Sequence, residues 1–176
     1  MVEESLLNRA RKIKLLLLDV DGVLTDGRII YDSKGRDSKF FNVHDGLGVY
    51  LLKKANISTV LITAKGSRSI KPRARDMGVA EIFADVSPKS SVFDKILRKH
   101  RVNPEEVCFV GDDLVDLCLM SKVGFAVAVF NAAPEIKNAA HYITQREGGR
   151  GAVREVSELI LKSQGKWQEI IESYQS

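Results

Sequence analysis

Apolar residues in this chain come in short, unbroken runs. Leu15 to Leu18 and Val107 to Val110 are apolar at every position. A strand with one wet face alternates, whereas a strand apolar throughout is covered on both faces, as in parallel sheets. Strands are predicted over residues 14–19, 58–63, 81–84, 107–110, 125–129 and 142–144. Apolar positions at helical spacing between them predict helices over 46–54, 69–77, 90–101, 114–121, 133–139 and 152–163. This alternation predicts an α/β fold, a doubly wound, mainly parallel sheet with helices on both faces. Ligands of such sheets sit beyond the C-terminal strand ends, so chemistry is expected just after Leu18, Ile62 and Val110.

One segment breaks the pattern. Residues 28–42 read as a β-hairpin, with Ile29, Ile30 and Tyr31 on one arm, Lys39, Phe40 and Phe41 on the other, and Ser33-Lys34-Gly35 at the turn. Its apolar residues need burial, which suggests a lid or a contact between subunits.

Composition narrows the class. At 176 residues, one domain spanning 1–176 is expected, with the hairpin near 28–42 and a C-terminal tail near 164–176. Lys and Arg number 27 against 23 Asp and Glu, a net charge of +4. That small excess does not indicate nucleic-acid binding and suits an anionic small molecule. Cys108 and Cys118 make no disulfide framework. No apolar run reaches the length of a membrane span or a signal segment, so a cytoplasmic protein with no membrane partner is expected.

Acidic residues leave the ends of two buried strands. Asp19-Val20-Asp21-Gly22 places two carboxylates at i and i+2, on one side of an extended chain, before a glycine that allows a sharp turn. Like charges this close need a cation or a shared proton. Gly111-Asp112-Asp113, with Asp116 beyond, supplies a second group. One such pair could simply cap a turn or a helix; two at neighbouring strand ends make an oxygen-rich site suited to Mg²⁺. Thr63, ending the run ISTVLIT, could offer a hydroxyl to a phosphate. Lys89 opens a helix against the preference of the helix dipole, as a lysine pairing a carboxylate or phosphate would.

In this order, the four elements resemble the motifs of the haloacid dehalogenase superfamily of phosphotransferases. The resemblance implies its Rossmannoid fold and a role for each residue. Asp19 is the implied nucleophile, forming an aspartyl phosphate, and Asp21 the general acid/base. Thr63 is the implied phosphate-binding hydroxyl, and Lys89 steadies nucleophile and phosphoryl group. Mg²⁺ is held by Asp19, Asp112 and the main-chain carbonyl of Asp21, and Asp113 or Asp116 orients Lys89 or a metal-bound water. Superfamily caps are inserted after the first motif or between the second and third; here the first gap holds only the hairpin, and the second only a helix and a strand. No cap fits, so a neighbouring subunit or a macromolecular substrate is expected to shield the site.

The stretches Asp19–Gly27, Phe41-Asn42-Val43-His44-Asp45-Gly46, Gly111–Leu117 and Gly148–Glu155 resemble those of the 3-deoxy-D-manno-octulosonate 8-phosphate phosphatases. That branch is capless and tetrameric, with hairpins meeting at the centre and each site covered by an adjacent subunit. The resemblance implies a phosphorylated sugar-acid substrate and a role in lipopolysaccharide sugar synthesis. The Gly148–Gly151 turn and the C-terminal tail are expected to reach a neighbour's site, the alternative for the tail being a frayed end. Ala64-Lys65 stands where the family carries Gly-Arg. Lys65 keeps the positive charge but lacks the two-pronged guanidinium. It heads five cations ending at Arg75, among which Arg73 matches an arginine that faces the substrate. The alternatives are an acylneuraminate 9-phosphate or other phosphosugar phosphatase, and a non-catalytic oligomerisation domain of the same fold.

Overall fold

The structure, a computed structural model, describes residues 2–175. The chain opens with α1 (Val2–Arg11) and β1 (Leu15–Leu18), followed by the hairpin strands β2 (Ile30–Tyr31) and β3 (Asp37–Ser38). Then come α2 (Val43–Lys54), β4 (Ser58–Ile62), α3 (Ile70–Met77), β5 (Glu81–Phe83) and α4 (Phe93–His100). The last part runs β6 (Val107–Gly111), α5 (Leu117–Met120), β7 (Phe125–Ala128), α6 (Pro134–Ala139), β8 (Tyr142–Ile143), α7 (Ala152–Ser163) and α8 (Trp167–Ser173).

Six strands form one parallel sheet in the order β5-β4-β1-β6-β7-β8. The chain winds from β1 outward through β4 and β5, then crosses to β6 and winds outward through β7 and β8. The winding direction therefore reverses between β1 and β6, where a doubly wound sheet opens a crevice. Leu18 lies in register with both Leu61 and Val110. The residues that follow these three therefore emerge at one edge. All four residues of β1 are fully buried, as their unbroken apolar run requires. Truncating a leucine here costs about 2–5 kcal/mol.

The predicted strands are all present, a residue or two shorter at some ends. Helix starts move more. The helix predicted from 46 begins at Val43, because the Asn42 side chain accepts the His44 N–H at 2.8 Å and caps it. The segments predicted as helices over 90–101 and 114–121 each begin as a tight 3₁₀ turn, Lys89–Val92 and Leu114–Asp116. Helix α1 was not predicted, although Leu6, Ala10 and Ile13 at helical spacing pack on the core. The 164–176 tail contains α8, which packs on its own chain: Ile170 is buried, and the Trp167 ring lies beside Arg154 and Lys162. Tyr174, beyond α8, stays 56% exposed.

The hairpin is real but minimal, pairing Ile30 with Ser38 and Tyr31 with Asp37. Ile29 and Phe40 stay 58% and 65% exposed, whereas Phe41 packs against the core and under Arg73. Among the described residues, no helix is long and apolar enough to cross a membrane.

Candidate active site

The loop after β1 folds around Thr25. Its hydroxyl accepts the N–H groups of Gly22 and Gly27 at 3.2 and 3.3 Å, and Thr25 itself is buried. Gly22 has φ +90°, and a Cβ there would lie 1.9 Å from an Asp112 carboxylate oxygen. Only glycine allows both the turn and this approach of the two acidic loops. The Asp19 N–H donates to the Val110 carbonyl at 3.1 Å, tying the ends of β1 and β6 together. The Gly148–Gly151 turn lies against this loop: a Cβ on Gly148 would fall 1.6 Å from the Gly22 carbonyl oxygen, and the Gly149 N–H donates to Val23. The turn thus buttresses its own chain's site. Asp45 anchors the far end of the turn, accepting the Gly151 and Arg154 N–H groups at 3.1 and 2.8 Å at the start of α7.

At the crevice, Asp19, Asp112 and Asp116 present oxygens within 4.8 Å of one another. Lys89, 2% exposed, bridges Asp19 at 2.6 Å and Asp116 at 2.5 Å. Asp116 is fully buried, and its other oxygen accepts the Asp112 N–H at 2.9 Å. Of the two acids expected to orient Lys89, Asp116 is the one that contacts it. Asp113 instead is exposed and caps the following turn, accepting the Leu114 N–H.

One ammonium does not balance three carboxylates. Burial, then repulsion from Asp116, pushes Asp19 up to about 6 despite Lys89. Burial, then repulsion from Asp19 and Asp116, pushes Asp112 up to about 8. Burial opposes the charge on Lys89, and the carboxylates of Asp19 and Asp116 outweigh it, so its pKa rises. A set of hard oxygen donors short of positive charge fits Mg²⁺.

Asp21 points away from this cluster. Its carboxylate pairs with Lys39 of the hairpin, whose side chain is only 6% exposed. This leaves only its main-chain carbonyl for the expected metal role. Sequence reasoning missed Lys39; the one available signal was a lysine inside an apolar hairpin arm.

Thr63 is buried at the end of β4, where its hydroxyl donates to the Lys65 carbonyl at 3.1 Å. Lys65 is exposed and donates to the Tyr31 hydroxyl at 2.7 Å. Arg73 donates to the Asn42 carbonyl at 2.7 Å and passes over the Cα of Gly46, while its Nε is buried without a partner. Of the predicted site residues, Asp19, Lys89, Asp112 and Asp116 thus converge, while the Asp21 carboxylate turns to Lys39. Lys65, on the loop after β4, feels the Asp21 and Asp37 carboxylates besides the Tyr31 hydroxyl; Arg73 lies on α3. A cavity of about 980 Å³ lies at the opposite edge of the sheet, lined by Lys14, Ile57 and Glu106 before β1, β4 and β6. It is remote from these groups.

Residues 49–155 match the haloacid dehalogenase-like hydrolase family. The 3-deoxy-D-manno-octulosonate 8-phosphate phosphatase KdsC of Salmonella typhi is 42% identical over 168 residues, covering 96% of this chain and 89% of that protein. The crystal structure of 3-deoxy-D-manno-octulosonate 8-phosphate phosphatase from Moraxella catarrhalis, in complex with magnesium, phosphate and KDO, superposes with a TM-score of 0.94 at 37% identity. It covers 97% of this chain and 98% of that one. The cobalt-bound phosphatase of Haemophilus influenzae gives 0.87 at 36% identity, covering 90% and 92%. With its strand-end carboxylates converging on one buried lysine, and with this likeness along nearly its whole length, the chain belongs to the haloacid dehalogenase-like hydrolases.

Proposed function

We propose that this chain is a Mg²⁺-dependent 3-deoxy-D-manno-octulosonate 8-phosphate phosphatase. In this reading it is one catalytic domain, working in the cytoplasm as a homotetramer whose neighbouring subunits cover each site. The observation that carries it is the buried Asp19–Lys89–Asp116 bridge beside Asp112, in a chain 42% identical to a phosphatase of that activity.

Asp19 attacks the phosphorus, and the bond from phosphorus to the sugar oxygen breaks. Asp21 gives its proton to the departing oxygen. Asp21 then takes a proton from water, which attacks the aspartyl phosphate and releases phosphate from Asp19. Lys89 holds Asp19 in line and balances charge on the phosphoryl oxygens. The Thr63 hydroxyl turns from the Lys65 carbonyl to a phosphoryl oxygen. Asp19, Asp112 and the Asp21 carbonyl would hold Mg²⁺, which when bound would supply further positive charge to the phosphoryl group. Lys65 and Arg73 bind the sugar acid.

Hydrolysis of a panel of sugar phosphates with Mg²⁺ tests the substrate. The highest kcat/KM is expected on the octulosonate phosphate; preference for an acylneuraminate 9-phosphate would move the assignment to that branch. Asp19→Asn removes the nucleophile's charge and should abolish turnover with little change in thermal stability. Activity near wild type in the purified variant would exclude the covalent route.

A further inference from the structure

Each of the two carboxylates that act on the phosphoester has its own lysine. Asp19 has Lys89, which comes from the core of the fold. Asp21 has Lys39, which comes from the hairpin. Among the described residues, Lys39 is the only side chain that bonds the Asp21 carboxylate. Lys39 is itself held from the other side by Asp37 at 3.8 Å, and its stem is almost completely covered. A second link binds the same hairpin to the site: the Lys65 ammonium meets the Tyr31 hydroxyl at 2.7 Å and lies 5.3 Å from the ring centre. The face of the hairpin turned to the site is thus polar and paired, while Ile29 and Phe40 project to the outside.

A carboxylate that must meet a leaving oxygen at hydrogen-bond distance needs a fixed rotamer. Asp21 side-chain atoms are 31% exposed, and among the described residues the side-chain bond to them is that of Lys39. We propose that Lys39 is the positioning residue for Asp21, so that the hairpin, besides any role in assembly, supplies part of the catalytic geometry. This rests on the assignment of Asp21 as general acid, and not on which sugar phosphate is the substrate. Lys39 acts through Asp21, so its removal should weaken proton delivery and leave the nucleophile and the metal site untouched.

The test is a series of simple phosphate monoesters, from aryl esters with good leaving groups to alkyl esters with poor ones, followed by first-turnover alcohol release. Lys39→Met should lose about 10- to 100-fold on alkyl esters, which need the acid, and under about 3-fold on the best aryl ester, which does not. Its dependence on leaving group should steepen in the same direction as that of Asp21→Asn, and the double variant should be no worse than Asp21→Asn alone. Lys39→Arg, which keeps the charge, should recover much of the loss, separating positioning from hairpin collapse. A loss equal across the series, or none, would overturn the role; an equal loss with raised KM would make Lys39 a substrate ligand instead. Because the esters are not sugars, a wild type that prefers another phosphosugar leaves this test standing. A wild type inert on every ester would remove both readings.

Discussion

Lys89 is the residue on which the site's electrostatics turn. It is the cation paired with the buried carboxylates of Asp19 and Asp116 beside half-buried Asp112, and breaking a buried pair by removing one partner typically costs about 3–5 kcal/mol. Lys89→Met should show a loss of that order by urea denaturation at pH 8 in chelator. A smaller loss is expected at pH 5, where the carboxyls take up protons. A loss equal at both pH values would mean that the carboxylates do not feel one another. The metal-free wild type should carry a related signature. Unfolded carboxyls titrate near about 4, whereas folded Asp19 and Asp112 titrate at about 6 and about 8. Between those limits the folded state holds protons that the unfolded chain has released, so stability falls as pH rises across the window. Melting in chelator should therefore give a lower Tm at pH 8 than at pH 5, with Mg²⁺ restoring most of the difference. If chelator and Mg²⁺ gave the same Tm at pH 8, the carboxylates would not be the cation site.

At the scale of elements, the hairpin divides neighbouring phenylalanines between two tasks. Phe40 is 65% exposed, while Phe41 packs on the core beneath the Arg73 guanidinium. Phe40→Asp should split a homo-oligomer, seen as a drop in mass by light scattering, with little effect on the fold of each chain. Phe41→Asp buries a charge against apolar neighbours and should lower Tm in any oligomeric state. Similar Tm losses for both would refute the division. The sequence could not separate them: two adjacent aromatics in a short arm point opposite ways, and which way is inward depends on tertiary contacts. The strands, in contrast, were legible, because Leu15 to Leu18 and Val107 to Val110 are apolar throughout and only a sheet covered on both faces accommodates them. The main acidic groups were legible for the same reason, standing where those runs stop. Hidden from the sequence were the pairings across it: Lys39 with Asp21, Asp45 with the start of α7, and which of Asp113 and Asp116 meets Lys89. Hidden too was the docking of α8 on α7, which depends on contacts between the two helices.

For the whole molecule, what matters is where β1 sits. Strand order places it in the interior of the sheet, hydrogen-bonded on both sides to β4 and β6. Asp19, the proposed nucleophile, is therefore mounted on the part of the fold that opens only when everything opens. Eleven residues after Asp19, the hairpin begins with a strand of two residues held by a single partner strand of two. Amide hydrogen exchange should report both extremes within one short peptide. The N–H groups of Leu16, Leu17 and Leu18 should exchange at the rate of global unfolding, and those of Ile30 to Ser38 orders of magnitude faster. Comparable protection in the two segments of an isolated subunit would contradict this ordering. If it holds, the enzyme has a stationary attacking group and an acid whose lysine rides on a loosely anchored ribbon. Freezing that ribbon, by a second copy of the chain or by an engineered cross-link, would then tune proton delivery without touching the nucleophile.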